Sequence, residues 1–117
     1  MNVDRGTVVL VELAPTVGHE QSGLRPCIAM SDPAVNADQR FPLIAVVPVT
    51  GTSGEGALYP MLSAGKSGLT KTSYALIDHL RSIDKRRIRR VYGSVTSEEL
   101  TTITQGIELF LGLGDAR

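Results

Sequence analysis

Most hydrophobic positions of the chain fall into short runs rich in valine and isoleucine, separated by glycine and proline. Such runs predict strands, because β-branched side chains favour an extended backbone. The predicted strands are Thr7 to Leu13, Pro26 to Met30, Leu43 to Thr50, Tyr74 to Ile83 (one or two strands) and Tyr92 to Val95, with Tyr59 to Leu62 as a candidate short strand. Because the Leu43 to Thr50 run is apolar almost throughout, it is predicted to be central, and Pro48 predicts a bulge or a strand end within it.

Helical signals are confined to two places. Asp32-Pro33-Ala34 predicts one helical turn, since proline suits a first helical position. Thr96 and Glu99 have the spacing of a capping box, and the apolar positions that follow share one helix face. That face consists of Leu100, Ile103, Ile107 and Phe110. The predicted fold is therefore mainly β with short helices (α+β), a small, strongly curved, barrel-like sheet with a C-terminal helix.

Length, charge, cysteine content and the length of apolar runs restrict the number of domains, the binding partners and the compartment. A chain of 117 residues fits one domain, residues 1–117. The net charge is +0, yet six of the 12 lysines and arginines lie between Arg81 and Arg90, so one face can still be basic. Cys27 is the only cysteine, which excludes an intramolecular disulfide and predicts a reducing cytoplasm, with Cys27 as a small buried hydrophobe. No apolar run approaches the roughly 20 residues of a membrane span, so no membrane is expected.

Two segments combine groups suited to phosphate chemistry. The first, Pro15 to Pro26, contains an imidazole, a carboxylate, an amide and a guanidinium among glycines. This mixture suits the handling of phosphates or nucleotides, although an ordinary solvated hairpin loop has a similar composition. The second is the end of the Leu43 to Thr50 strand, where the Thr50 hydroxyl can hold a phosphate oxygen opposite a guanidinium. A threonine at a strand end is also common, so Thr50 alone decides little.

A third segment, Asp78 to Asp84, leads into the basic run Lys85 to Arg90. If the segment were a strand, alternation would place Asp78 on one face and both His79 and Arg81 on the other. The basic run can follow an RNA backbone, and a solvated charged turn explains it equally well. Two histidines and one cysteine, far apart, have no metal-ligand spacing, so neither metal nor cofactor is expected.

Four stretches together resemble the MazF/PemK toxins, in family order and over nearly the whole chain. They are RGTVVLVELAPTVGHEQSGLRP (5–26), VVPVTGT (46–52), SGLTKTSYALIDHLRSID (67–84) and the helix start VTSEEL. The GHEQSGxRP segment is the specific one. The resemblance implies an SH3-like barrel of the PemK/CcdB type, a homodimer, and metal-independent, sequence-specific cleavage of single-stranded RNA. It also implies a MazE-like antitoxin whose disordered tail blocks the site, with DNA contacted only through the antitoxin complex.

The same resemblance assigns candidate roles in the first two segments. Arg25 and Thr50 match the most dependable active-site residues of the family. Glu20 and Gln21 match residues that shape the RNA site, and His19 matches a histidine of the PemK/Kid-like members. An imidazole titrates near neutral pH, so His19 is the first candidate proton carrier, with Glu20 as the fallback base. Which group acts as acid and which as base stays open.

In the third segment, Asp78 matches the aspartate of an Arg–x–Asp pair thought catalytic in some PemK-type members. Leu76 stands at the arginine position, which weakens an Asp–Arg mechanism here. His79 replaces a common glutamine and is expected to alter base preference. Asp78, His79, Arg81 and Arg86, together with Gln21, are predicted to bind RNA.

Two rival functions have different sequence requirements. CcdB-type toxins, which poison gyrase without cutting RNA, share the barrel but lack the GHEQSGxRP segment. A sequence-tolerant RNA-binding module without chemistry would need aromatic rings for base stacking, and aromatics form only 4% of this chain.

Overall fold

A computed structural model of the protein describes residues 2–13, 17–20, 23–52 and 54–114. These residues form one curved sheet with two helices. Within these residues the strands are β1 (Thr7–Glu12), β2 (Leu24–Ala29), β3 (Leu43–Thr50), β4 (Met61–Leu62), β5 (Ser73–Ala75), β6 (Arg81–Asp84) and β7 (Ile88–Ser94). The helices are α1 (Pro33–Ala37) and α2 (Ser97–Leu111), and single 3-10 turns occupy Ile77–His79 and Lys85–Arg87. The strand order is β4-β5-β3-β2-β1-β7, and β6 pairs with β3 as well.

Strand β3 is the centre of the sheet, as its apolar sequence predicts. On one side it pairs with β2, and on the other it pairs first with β6 and then with β5. The partner changes around Pro48, which has no amide hydrogen to donate and whose carbonyl accepts a 2.8 Å hydrogen bond from Leu76 N. The irregularity expected at Pro48 is therefore a change of partner within an unbroken strand.

Alternating side chains place the apolar residues of the sheet in two hydrophobic clusters. Val46 belongs to one cluster and Val47 to the other, which shows that β3 is buried on both faces. Cys27 is fully buried in the first of these, and burial raises the pKa of its thiol to about 12. It is therefore the small neutral hydrophobe that the sequence predicts.

Helix α2 covers the cluster that contains Val47. Its capping box is confirmed: Glu99 N donates to Thr96 Oγ1 at 3.1 Å, and Thr96 N donates to Glu99 Oε1 at 2.9 Å. Ile103 is buried, and Leu100 and Ile107 pack against the same cluster. The expectation that Phe110 completes this face is wrong: Phe110 lies in the last turn, beyond the packed part of the helix, and is 44% exposed.

The remaining differences from the predicted strands all affect candidate site residues. Strand β2 begins at Leu24, so Arg25 lies in a strand and not in the preceding loop. The run Tyr74 to Ile83 is broken by the Ile77–His79 turn, because the chain leaves β3 after β5 and returns to it as β6. Strand β7 begins at Ile88, earlier than its apolar residues indicate.

Helix α2 approaches the Ile77–His79 turn closely at Gly106. A Cβ built at Gly106 would lie 2.8 Å from Ala57 O and 3.1 Å from Ile77 Cγ1. We therefore expect Gly106→Leu to lower the free energy of unfolding by about 1–3 kcal/mol, measured by urea denaturation, because the added atoms have no space. Thr101→Leu on the exposed side of the same helix is the control and should change stability little. Equal stabilities of Gly106→Leu and the wild type would contradict this close approach.

Candidate functional site

The strand register brings Arg25 and Thr50 together. The pairing of β2 with β3 ends at Cys27 opposite Pro48, and its continuation places Arg25 opposite Thr50. Both residues line one cleft of about 310 Å³. The two residues that the family resemblance singles out, 25 positions apart in sequence, thus share one site.

The cleft contains a second cation, Lys71, that sequence reasoning missed. Gly51 follows Thr50, and a Cβ at residue 51 would lie 2.7 Å from Lys71 Nζ and collide with the lysine stem. The absence of a side chain at Gly51 therefore lets Lys71 lie across the backbone beside Thr50. Thr50 Oγ1 accepts a 3.2 Å hydrogen bond from Thr52 N, so the hydroxyl proton points elsewhere and is available for donation.

His19 and His79 both line two further cavities, one of which adjoins this cleft. One cavity, of about 340 Å³, is also lined by Thr50 and Tyr59, so it shares Thr50 with the Arg25 cleft. The other, of about 240 Å³, has a more strongly charged lining. Its charged residues are Glu20, Asp78 and Arg81. Seven of the predicted site residues therefore line three adjoining cavities, and both histidines lie near Thr50.

Glu20 has a structural contact that limits its chemical role. Its Oε1 accepts a 2.9 Å hydrogen bond from Val17 N, and its own amide donates to Val17 O at 3.2 Å. The carboxylate therefore closes a turn that presents His19. The neighbouring candidate Gln21 lies outside the described residues.

Asp78 contacts the side chains of Tyr59 and His79, and sequence reasoning missed the contact with Tyr59. The Tyr59 hydroxyl donates to Asp78 Oδ2 at 2.7 Å, and His79 Nε2 lies 3.8 Å from Asp78 Oδ1. The hydrogen bond to Asp78 raises the pKa of Tyr59 above its usual range, so Tyr59 remains a donor at neutral pH. The prediction that Asp78 and His79 face opposite ways is wrong, because they lie in a 3-10 turn and both line one cavity.

The residues of the basic run Lys85 to Arg90 make contacts with different parts of the fold. Lys85 Nζ donates to Val35 O at 2.7 Å and to Asp38 O at 3.0 Å, at the end of α1. Arg87 donates to Glu12 O at 3.3 Å, and the Arg90 guanidinium lies 5.1 Å from the centre of the Tyr92 ring. Arg86, Arg87 and Arg89 line a separate cleft together with Glu12 and Asp84, so acidic residues lie among these arginines.

Arg86 and Arg81, both predicted to bind RNA, differ in position. Arg81 lines the cavity of the two histidines and donates to Leu13 O at 3.4 Å. Arg86 lies in a separate cleft and forms two 3.0 Å hydrogen bonds to Asp84. These bonds lower the pKa of Asp84 to about 2, so the pair stays charged at neutral pH. The structure thus brings Arg81, but not Arg86, to the predicted site.

Neither a metal centre nor a membrane helix is found in the described part of the chain. No three His, Cys, Asp or Glu residues there lie close enough together to hold a metal ion. No helix there is long and apolar enough to cross a membrane.

A family model described as "PemK-like, MazF-like toxin of type II toxin-antitoxin system" matches residues 4–111. The chain belongs to this toxin family. The match confirms the resemblance carried by the GHEQSGxRP segment and the other three stretches.

Three related proteins show how close the toxin is to characterised members. Endoribonuclease MazF of Staphylococcus saprophyticus is 27% identical over 115 residues, covering 97% of this chain and 94% of that one. The crystal structure of MazF from Deinococcus radiodurans superposes with a TM-score of 0.80 at 29% identity, covering 97% and 99% of the two chains. A MazE–MazF complex from the same organism gives a TM-score of 0.77 at 28% identity, covering 97% of this chain and 99% of that one.

Lys71 and Tyr59 are the residues of this toxin that sequence reasoning missed. Lys71 lies within one of the four family-like stretches, yet no pattern links it to Thr50, because the contact depends on the absent side chain of Gly51. The sequence predicts Tyr59 only as part of a candidate strand, whereas Tyr59 precedes β4 and contacts Asp78, 19 residues further along.

Proposed function

We propose that this toxin is a metal-independent endoribonuclease that cuts single-stranded RNA at a short base motif. The 2′-hydroxyl attacks the adjacent phosphorus, and the products are a 2′,3′-cyclic phosphate and a 5′-hydroxyl. The observation that carries the proposal is the Arg25–Thr50 cleft, which contains Lys71 and shares Thr50 with a cavity lined by both histidines. Cationic donors and candidate proton carriers thus line two cavities that meet at Thr50.

The first chemical task is to stabilise the dianionic phosphorane. Arg25 presents paired N–H donors whose geometry matches two phosphate oxygens. Thr50 donates its hydroxyl proton to a non-bridging oxygen, and the Lys71 ammonium adds a point charge. Such preorganised donors act where charge develops in the transition state and are a major source of catalysis.

The second task is proton transfer, for which His19 is the proposed carrier. Glu20 is the fallback base, although one of its oxygens accepts the amide proton of Val17. Arg81 would contact RNA in the cavity of the two histidines. The other residues proposed to bind RNA are Gln21, Asp78, His79 and Arg86.

We expect cleavage to continue in EDTA and to leave cyclic phosphate ends, because the substrate supplies its own nucleophile. The measurement is gel analysis of a labelled RNA cut by purified protein, with end groups identified by phosphatase resistance before and after acid treatment. Arg25→Ala protein purified in parallel controls for contaminating ribonuclease. Loss of wild-type activity in EDTA, restored by Mg²⁺, would falsify the metal-free mechanism.

The proposal includes partners and a compartment. The toxin acts as a homodimer in the cytoplasm and is inhibited by a cognate MazE-like antitoxin. The apolar side chains exposed at the end of α2 are of the kind that interfaces cover. These are Leu109, Phe110, Leu111 and Leu113. The gyrase-poisoning alternative is not favoured, because the family match and the curated relatives are of the endoribonuclease type.

A further inference from the structure

Two imidazoles lie in the same pair of adjoining cavities, but only one of them has a carboxylate partner in the described structure. His19 and His79 line both cavities, and Thr50 lines the larger one. His79 Nε2 lies 3.8 Å from Asp78 Oδ1, and its side chain is 20% exposed. The two histidines thus differ in surroundings, as a proton acceptor and a proton donor in one reaction must differ.

We propose that His79 is a second catalytic residue, the general acid that protonates the departing 5′ oxygen, and that Asp78 and Tyr59 are its positioning residues. The inference rests on the proposed function, because it assigns a step of the same RNA cleavage. It goes beyond a role for His79 in RNA binding and assigns the role of base to His19.

The backbone fixes the three groups relative to one another. Ile77 N donates to Leu58 O at 3.0 Å, and Ala75 N donates to Pro60 O at 3.0 Å, so residues on both sides of Tyr59 are bonded to the segment before Asp78. Helix α2 packs behind Ile77 through Gly106. The positions of Asp78 and His79 are thus determined by the fold and not by a free loop.

The two carboxylate oxygens of Asp78 face different neighbours. The Tyr59 hydroxyl donates to Oδ2, which leaves Oδ1 facing His79. A carboxylate beside an imidazole can orient the ring for proton transfer to or from the substrate. The other charged or titratable groups that line the cavities around His79 are His19, Glu20, Tyr59 and Arg81.

The proposed step balances protons and electrons without a co-reactant. The 2′ oxygen forms its bond to phosphorus as His19 accepts the 2′ proton. The bond from phosphorus to the 5′ oxygen breaks, and the electron pair leaves with that oxygen as His79 supplies a proton. Exchange with water then returns both histidines to their starting forms.

The test uses two RNA substrates of one sequence, one with the natural 5′ oxygen and one with sulfur at that bridging position. A thiolate leaves without protonation, so loss of a general acid should matter only for the natural substrate. In single-turnover cleavage at saturating protein, we expect His79→Gln to be about 100- to 10,000-fold slower on the natural RNA. On the sulfur substrate it should be close to wild type, whereas His19→Gln should be slow on both.

The role of Asp78 is tested with the same two substrates. If Asp78 orients the His79 ring, loss of its carboxylate should slow only the step that needs the acid. Asp78→Asn and Tyr59→Phe should therefore slow cleavage of the natural substrate and leave cleavage of the sulfur substrate close to wild type. Asp38→Asn, which breaks an aspartate–arginine pair outside these cavities, should leave both rates close to wild type.

The outcomes separate the inference from the function on which it rests. Equal losses on both substrates, or no loss, for His79→Gln would overturn the role as acid while RNA cleavage stands. Equal losses on both substrates, or no loss, for Asp78→Asn would overturn the positioning role. If the wild-type protein cuts neither substrate, the proposed function fails and the inference fails with it.

Discussion

Replacement of Arg25 by alanine should slow RNA cleavage by about 100- to 1,000-fold and leave the protein folded. The loss follows from the removal of one preorganised donor to the phosphorane, for which this magnitude is typical. Folding should be unaffected, because Arg25 is exposed near the start of β2 and is not part of either hydrophobic cluster. Single-turnover rates report the cleavage loss, and thermal unfolding reports the fold.

Companion variants separate the contributions within the Arg25 cleft. Thr50→Ala should also reduce cleavage by orders of magnitude. Arg25→Lys should rescue poorly, since an ammonium lacks the paired donors of the guanidinium. Lys71→Ala should cause a smaller loss that shrinks as salt rises, because the exposed ammonium acts as a screened point charge. Wild-type rates in Arg25→Ala with RNA binding intact would remove Arg25 from the mechanism.

Features of the fold that depend on neighbouring residues could be predicted from the sequence. Strand β3 is apolar almost throughout, and it pairs on both sides. The capping box of α2 needs only Thr96 and Glu99, and both of its hydrogen bonds form. The family resemblance indicates Arg25 and Thr50, and the strand register explains why two residues so distant in sequence lie opposite one another.

Features that depend on the path of the chain could not be predicted in this way. The alternation assumed for Asp78 to Asp84 fails because the Ile77–His79 turn interrupts it. The turn is needed because the chain pairs with β3 twice, as β5 before the turn and as β6 after it. The basic run is contiguous in sequence, but its members make different contacts in the fold. Lys85 donates to the backbone of α1, Arg87 donates to the backbone of β1, and the last two arginines lie in β7. Contact between Tyr59 and Asp78 likewise depends on hydrogen bonds between distant segments.

The electrostatics of the cleft also predict how the toxin is inhibited. Arg25, Lys71 and Thr50 form a surface suited to phosphate oxygens, and a cavity lined by both histidines lies between this surface and the cavity of Arg81. An acidic, disordered peptide can occupy the same surface, because its carboxylates replace the phosphates as it orders on binding. We therefore expect an antitoxin with an acidic C-terminal segment. It should contact the His19 to Gly23 loop, the Gly51 to Gly56 loop and part of the basic run.

We expect this peptide and RNA to exclude one another, with the affinity of the peptide falling as salt rises. Exposed charge pairs are screened over a Debye length of roughly 8 Å at physiological ionic strength, so the ion pairs weaken in higher salt. The measurement is a titration of a labelled, uncleavable RNA analogue with the peptide at two salt concentrations. Lys71→Ala should weaken both ligands, and a peptide with its carboxylates replaced by amides is the control. If RNA and peptide bind together without mutual loss of affinity, the antitoxin inhibits from another surface, and the placement of both ligands on the Arg25 cleft is wrong.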